Sequence, residues 1–190
     1  PAQIAWDYSK GAPVAWYKMD ECSGTVLHSS NTPYNSTLNG TLNIGASGTQ
    51  TSAGTCSDGL TTSAWYNGRT GKLSSSLNFD GVDDWVNAGT SSTLSNTTGD
   101  FTISTWIKAT SQQVNGLRPI IDKRGTGGAG YLLQINNSDP YLYFYVSNSS
   151  GTARDARRKT SFIDGSWHHV IGVRRSNEVY IYLDGVDTTQ

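Results

Sequence analysis

The stretch SWHHVIGVRRSNEVYIYLDG, Ser166 to Gly185, decides what kind of molecule this is. Trp167, His169, Ile171 and Val173 recur at every second position, and so do Val179, Ile181 and Leu183. A period of two puts alternate side chains on opposite faces of an extended chain. A polar break separates the two runs, and Asp184-Gly185 closes the second with the two-residue signal of a tight hairpin. The reading is a pair of strands followed by a turn.

The same alternation continues outward from this stretch. In DFTISTWIKA, Phe101, Ile103, Thr105 and Ile107 share one face, and Thr102, Ser104, Trp106 and Lys108 share the other. In YLYFYVS, Leu142, Phe144 and Val146 alternate with Tyr141, Tyr143 and Tyr145. Clusters of Gly, Asn, Ser and Asp separate the runs, and no long segment carries a helical period. The chain has 190 residues, with 21 Gly, six Trp and ten Tyr, and only one Met. These features predict an all-β protein, a two-sheet antiparallel jelly-roll sandwich of about 10–12 strands around one core.

Composition also limits partners. Fourteen basic and fifteen acidic residues leave a net charge of −1, which argues against nucleic acid and against an anionic membrane surface. No apolar run is long enough to insert into a membrane, and no signal peptide is present within the sequence. Pro1 is not a natural start, so a mature product or an excised piece is expected. Cys22 and Cys56 are the only cysteines, and neither belongs to a zinc-spaced cluster. A disulfide is expected between them, because the hydroxyl-rich, charge-poor composition suits an extracellular protein; two buried thiols are the alternative. The span 31–69 is poor in apolar residues and reads as a long, partly irregular excursion that such a bridge would pin.

Three stretches together resemble one family. VAWYKMDECSGTVLHSSN is similar to its opening strand and turn, and SLNFDGVDDWVNAG, Ser76 to Gly89, to its second strand pair. FTISTWIKA with the Ser166–Gly185 stretch resembles its central strands and hairpin. The family is the laminin G-like, concanavalin A-like jelly roll in its bacterial form, and the resemblance covers most of residues 14–187. The cysteine pair, with IGASGTQTSAGTC and AWYNGRTGK, is similar to a subgroup of surface and pilin-like proteins. The resemblance implies two curved sheets, display outside the cell, and binding of glycans or cell-surface proteins, often with calcium. Its members continue past the YLDG hairpin with further strands, whereas this sequence stops at Gln190, so a truncation, or a last strand supplied from elsewhere, is expected. Residues 1–13 would then be a linker or an arm that pairs with a neighbour, and 14–190 the domain.

The stretch SLNFDGVDDWVNAG raises the question of chemistry. Asp80, Asp83 and Asp84 fall within five residues. A retaining glycosidase needs two carboxyl groups about 5–5.5 Å apart in one cleft. Glu21 and Glu178 are the only glutamates, and no run of carboxylates alternates along a strand, so no catalytic residues are assigned. Calcium is the cofactor the resemblance implies, held where Asp20 or Glu21, near the first turn, meets Asp80, Asp83 or Asp84. The plainer reading is a strand, an Asp80-Gly81 turn and a second strand, with the other acids solvated or bonded to backbone amides.

Sugar binding rests on aromatic residues outside the core. Trp106, Tyr141, Tyr143, Tyr145, Tyr180 and Tyr182 alternate with core residues, and Asn136, Asn137 and Asn148 stand near as hydrogen-bonding groups. Cross-strand aromatic pairing is the structural alternative. Adjacent histidines His168 and His169 point to opposite faces of a strand, and no G-x-S-x-G elbow supports a Ser–His–Asp site. GTGGAG, 125–130, lacks a phosphate-binding pattern. RDARRK, 154–159, reads as a solvated loop, or as a contact for an acidic polysaccharide or anionic cell surface. Glycosylation sequons begin at Asn35, Asn39, Asn96, Asn136 and Asn148 and are read as chance matches in an Asn-, Ser- and Thr-rich chain. The expected function is a secreted, non-catalytic binding or adhesion module for glycans. The second expectation is the self-assembling head of a pilus-like or filamentous surface protein.

Overall fold

The computed structural model describes residues 13–30, 35–95, 98–110, 117–136, 141–159 and 162–187. The expected N-terminal arm therefore lies outside the described residues but for Pro13, as do Asn96 and Asn137. The chain divides into two compact units, residues 1–94 and 95–190.

The second unit is the sandwich. Its strands are β4 (Phe101–Lys108), β5 (Leu117–Asp122), β6 (Gly130–Asn136), β7 (Tyr141–Ser147), β8 (Ala153–Lys159), β9 (Trp167–Arg175), β10 (Glu178–Leu183) and β11 (Val186–Asp187). They form two four-stranded antiparallel sheets, in the orders β11-β10-β9-β4 and β5-β6-β7-β8. The alternation read from the sequence is the alternation of burial. Leu142, Phe144 and Val146 of β7 are buried, as are Val179, Ile181 and Leu183 of β10. They join Val170, Leu133, Ile135 and Phe162 in one apolar core. Phe101 and Ile103 of β4 pack against it, and the Phe101 ring meets Phe144 edge-on at 6.1 Å.

β9 settles a choice that its sequence leaves open. Its more apolar set, Trp167, His169, Ile171 and Val173, faces away from the core, whereas Val170, Gly172 and Arg174 are buried. Register explains this. Ile171 pairs with Tyr182 and Val173 with Tyr180, so the four share a face, while Gly172 pairs with Ile181 and Ile103 on the core side. Gly172 is there because the sheets come close: an added Cβ would sit 2.9 Å from the Phe144 ring.

RDARRK is a strand, not the expected loop. It forms most of β8, paired along its length with β7. One small apolar residue suffices for that, since Ala156 is fully buried opposite Phe144, while Asp155 and Arg157 on either side of it take the outer face with Tyr145 and Tyr143. On the other edge, β5 accommodates Pro119 next to a register shift between Pro119 and Ile121.

The first unit carries a three-stranded antiparallel sheet, β1 (Val26–Leu27), β2 (Gly40–Asn43) and β3 (Trp85–Asn87), in that order. The span read as an excursion includes β2 and a four-residue helix, α1 (Ala64–Asn67), capped by the Ser63 hydroxyl, which accepts from Tyr66 N–H. α1 drives Trp65 into complete burial, where its indole N–H donates to the Gly24 carbonyl at 2.9 Å. The expected disulfide is formed between Cys22 and Cys56, with Cα atoms 5.0 Å apart, and Cys56 N–H donates to the Cys22 carbonyl.

The tight fit at Gly172 gives the first prediction. Alanine ordinarily gains about 0.5–1 kcal/mol over glycine through chain entropy. At residue 172 the close approach reverses the sign, because an added Cβ would press on a fully buried ring 2.9 Å away. Gly172→Ala is expected to lose about 1–3 kcal/mol in urea unfolding; a neutral or stabilised variant would contradict the close approach.

Candidate functional site

The three aspartates of SLNFDGVDDWVNAG do come together. Their ligand oxygens lie within 4.8 Å of one another, while Asp20 is exposed and outside this group. No strand covers residues 71–84, so the expected strand–turn–strand is replaced by a loop leading into β3. The hydrogen bonds show why. Asp80 Oδ2 accepts from Thr49 N–H at 2.6 Å and Gln50 N–H at 3.0 Å, and its Oδ1 accepts from Val82 N–H. Asp83 accepts from Ser47 N–H and Asp84 from Gly45 and Asp80 N–H. Carboxylates thus take the place of a strand ladder for residues 45–50. Gly45 and Gly48 permit the approach, since a Cβ on either would collide with Asp83 or Asp80.

These contacts separate the acids electrostatically. Burial works against the Asp80 charge, but the N–H groups of Gln50, Val82 and Thr49 outweigh it and hold its carboxyl below the usual range. Burial pushes Asp84 above that range, and the charges of Asp80 and Asp83 push the same way. An all-oxygen group with mutual repulsion can hold a metal ion, and its hard donors fit a hard cation.

The adjacent histidines separate as a strand requires. His169 lies outward, stacked on the Trp106 ring at 4.9 Å and 22°, with Nε2 2.8 Å from the Ser104 hydroxyl. His168 lies inward against Phe162. Its Nδ1 is 2.7 Å from Asp184 Oδ2 and its Nε2 3.1 Å from Asp164 Oδ1. Two carboxylate acceptors require both ring nitrogens to donate, which is the charged imidazolium. Asp184 also accepts from His169 N–H, so the clamp ties the hairpin turn and the loop before β9 to β9 itself.

The six aromatic residues are outward of the core but do not form one surface. Trp106, Tyr180 and Tyr182 are on the outer face of the β11-β10-β9-β4 sheet. Tyr141, Tyr143 and Tyr145 are on the outer face of the other sheet. There the Tyr143 and Tyr145 rings stand 6.2 Å apart, inclined by 23°. With Pro119, Arg124, Leu132 and Gln134 they line a groove of about 270 Å³. Register builds it: Leu132 pairs with Tyr145 and Gln134 with Tyr143. On one flank Arg124 grips Asp122 through two bonds of 3.0 and 2.7 Å. On the other, Arg157 bonds Asp155 at 2.9 Å and lies over the Tyr143 ring. Gln134 and the Arg124–Asp122 pair were not singled out in the sequence, and Arg157 and Asp155 were read only within RDARRK, because only cross-strand register brings them beside the tyrosines.

A family model described as the concanavalin A-like lectin/glucanases superfamily matches residues 80–190, more than half of the chain. The chain belongs to that superfamily. The match begins at Asp80, within the aspartate group, and runs through the whole sandwich of a concanavalin A-like domain. No curated protein and no solved structure matches. The superfamily's description spans lectins and glucanases, so the fold alone favours ligand or carbohydrate binding without choosing a ligand.

The His168 clamp makes stability depend on pH. Burial disfavours the imidazolium, yet Asp184 and Asp164 outweigh it and raise His168 above its ordinary 6.5. A raised value contributes stability that is complete below 6.5 and lost as pH rises through the folded value. Asp164 is lowered first by Ser166 N–H, and Asp184 first by His168, from an ordinary 3.8; their contribution is complete above 3.8 and lost as pH falls through the folded values. The clamp is therefore strongest between pH 3.8 and 6.5. In unfolding titrations above pH 6.5, the wild type is expected to lose stability with a slope that His168→Gln removes. Identical slopes in the two proteins would refute the clamp.

Proposed function

We propose that this domain is an extracellular, non-catalytic carbohydrate-binding module, and that its platform is the outer face of the β5-β6-β7-β8 sheet. The observation that carries this reading is the Tyr143–Tyr145 pair beside Gln134, flanked by two Arg–Asp pairs. Sugar rings present C–H faces that stack on aromatic rings, and hydroxyls that both donate and accept. The tyrosines and buried Leu132 supply the apolar surface. Gln134 and each Arg–Asp pair offer donors and acceptors side by side. Because each arginine is matched by an acid, the platform suits neutral sugars. A glycosidase acid needs a carboxyl raised towards neutrality. Asp122, the acid beside Arg124, is instead held below the usual range by hydrogen bonds from that guanidinium, which supports binding without hydrolysis. The disulfide supports an oxidising, extracellular setting.

Adhesion through glycans or cell-surface proteins is the use this reading favours. The filament alternative has less support. β8 pairs only with β7 among the described strands, and its edge carries Arg154, Arg157 and Arg158, which oppose pairing with another copy.

The module is expected to bind a member of a panel of neutral polysaccharides in titration calorimetry. Tyr143→Ala and Tyr145→Ala are each expected to weaken it about fivefold to tenfold, with the thermal midpoint little changed. Undiminished binding in the double variant would reject the platform.

Calcium is the second part of the proposal. Asp80, Asp83 and Asp84 would hold it, and its charge would offset their repulsion. Millimolar calcium is expected to raise the thermal midpoint, and Asp83→Asn to abolish the rise. Absence of a rise in the wild type would remove calcium from the account.

A further inference from the structure

A second concavity lies at the end of the sandwich where the core stops. It has a volume of about 180 Å³ and is lined by Val146, Asn148, Thr152, Arg154, Arg174 and Asn177. Arg154 pairs with Val146 across β7 and β8, and Arg174 with Val179 across β9 and β10. Both strand pairs thus place an arginine one pair from their end, beside the last apolar residues of the core. Arg174 is only 8% exposed.

The hydrogen bonds decide the chemistry of this cavity. Asn148 Oδ1 accepts from Ser150 N–H and Thr152 N–H, which shapes the β7–β8 turn. Asn177 Oδ1 accepts from Arg174 Nη2. Both amide oxygens are committed within the protein, so each asparagine has its NH2 group left to offer. Arg174 Nη1 donates to the Gly99 carbonyl and Arg154 Nη1 to the Ala153 carbonyl, which anchors each guanidinium and leaves further N–H donors on both. Thr152 adds a hydroxyl, and among the described residues no carboxylate lines the wall. This is the opposite of the tyrosine groove, where each arginine has its own acid.

We infer that this cavity binds an oxyanion, the carboxylate or sulfate group of an acidic sugar or the free ion of the same chemistry. Two arginines and two asparagines, each with N–H donors left over, line a space with room for one such group. The site stands apart from the neutral-sugar platform and does not rest on it. It also gives Arg154 and Asn148 a role that neither a solvated loop nor a sequon supplies.

The test compares sodium sulfate, sodium glucuronate and glucose, each against sodium chloride at equal ionic strength, by thermal midpoint and titration calorimetry on the whole chain. Sulfate and glucuronate are expected to raise the midpoint, and glucose is expected to leave it unchanged. A response to both anions assigns the site to acidic sugars, and a response to sulfate alone assigns it to the free ion. Arg154→Gln is expected to weaken anion binding about tenfold, through loss of a charged donor at an exposed position. Asn148→Asp is the sharper variant: a carboxylate keeps both turn bonds but replaces the NH2 group with negative charge, so binding is expected to vanish while the fold persists. Tyr143→Ala is expected to leave the anion response intact. No anion response beyond chloride in the wild type, or an undiminished response in Asn148→Asp, would overturn the assignment.

Discussion

The approach of Gly172 to the Phe144 ring governs the sandwich. Phe144 is fully buried in β7, and only a residue without a side chain lets β9 come so near. That contact sets which face of β9 points inward. Val170 and Arg174 follow Gly172 to the inside, and Trp167, His169, Ile171 and Val173 follow each other out. One glycine therefore places His168 against its aspartates, His169 against Trp106, and Arg174 at the mouth of the end cavity. A register slip by one residue would reverse all of these at once.

The first unit relies on a different kind of constraint. Residues 45–50 have little to bury, and their amides still require partners. Asp80, Asp83 and Asp84 provide them from a loop at least thirty residues away in sequence, at distances of 2.6 to 3.1 Å. The gain is order in a segment without a ladder, and the cost is three carboxylates held close enough for their charges to interact. Asp84 carries that cost, since burial and both neighbours disfavour its ionised form. The same cluster thus has a structural role whether or not a cation joins it, which separates the clasp from the calcium proposal.

The strands of the sandwich were legible wherever apolar and polar residues alternate. β4, β7 and β10 follow that pattern, and their inward faces are those the period predicts. β8 was not legible, because its only apolar anchor is Ala156 and its charged neighbours look like a loop. The stretch before Asp80 misled in the other direction. Its residues alternate like a strand, but its aspartates bond to distant amides, which no local pattern reveals. The aromatic residues were read correctly as outward, while their division between two sheets depends on topology. Gln134, Arg124 and Asp122 were invisible for the same reason, since each reaches the tyrosines only through pairing across β5, β6 and β7.

Arginine shows how pairing, rather than residue type, sets the character of a surface. Arg124 and Arg157 each meet an aspartate two residues away, so each flank of the tyrosine groove is a neutral donor–acceptor pair. Arg154 and Arg174 meet backbone carbonyls and an amide oxygen, which orient them without cancelling their charge. With equal numbers of like side chains, one surface suits hydroxyls and the other suits an oxyanion. A net charge of −1 conceals this division, because the opposing charges are segregated by contact rather than by composition. A glycan carrying both neutral rings and acidic substituents would engage the two places by separate physical terms, stacking at the first and charge-assisted hydrogen bonding at the second.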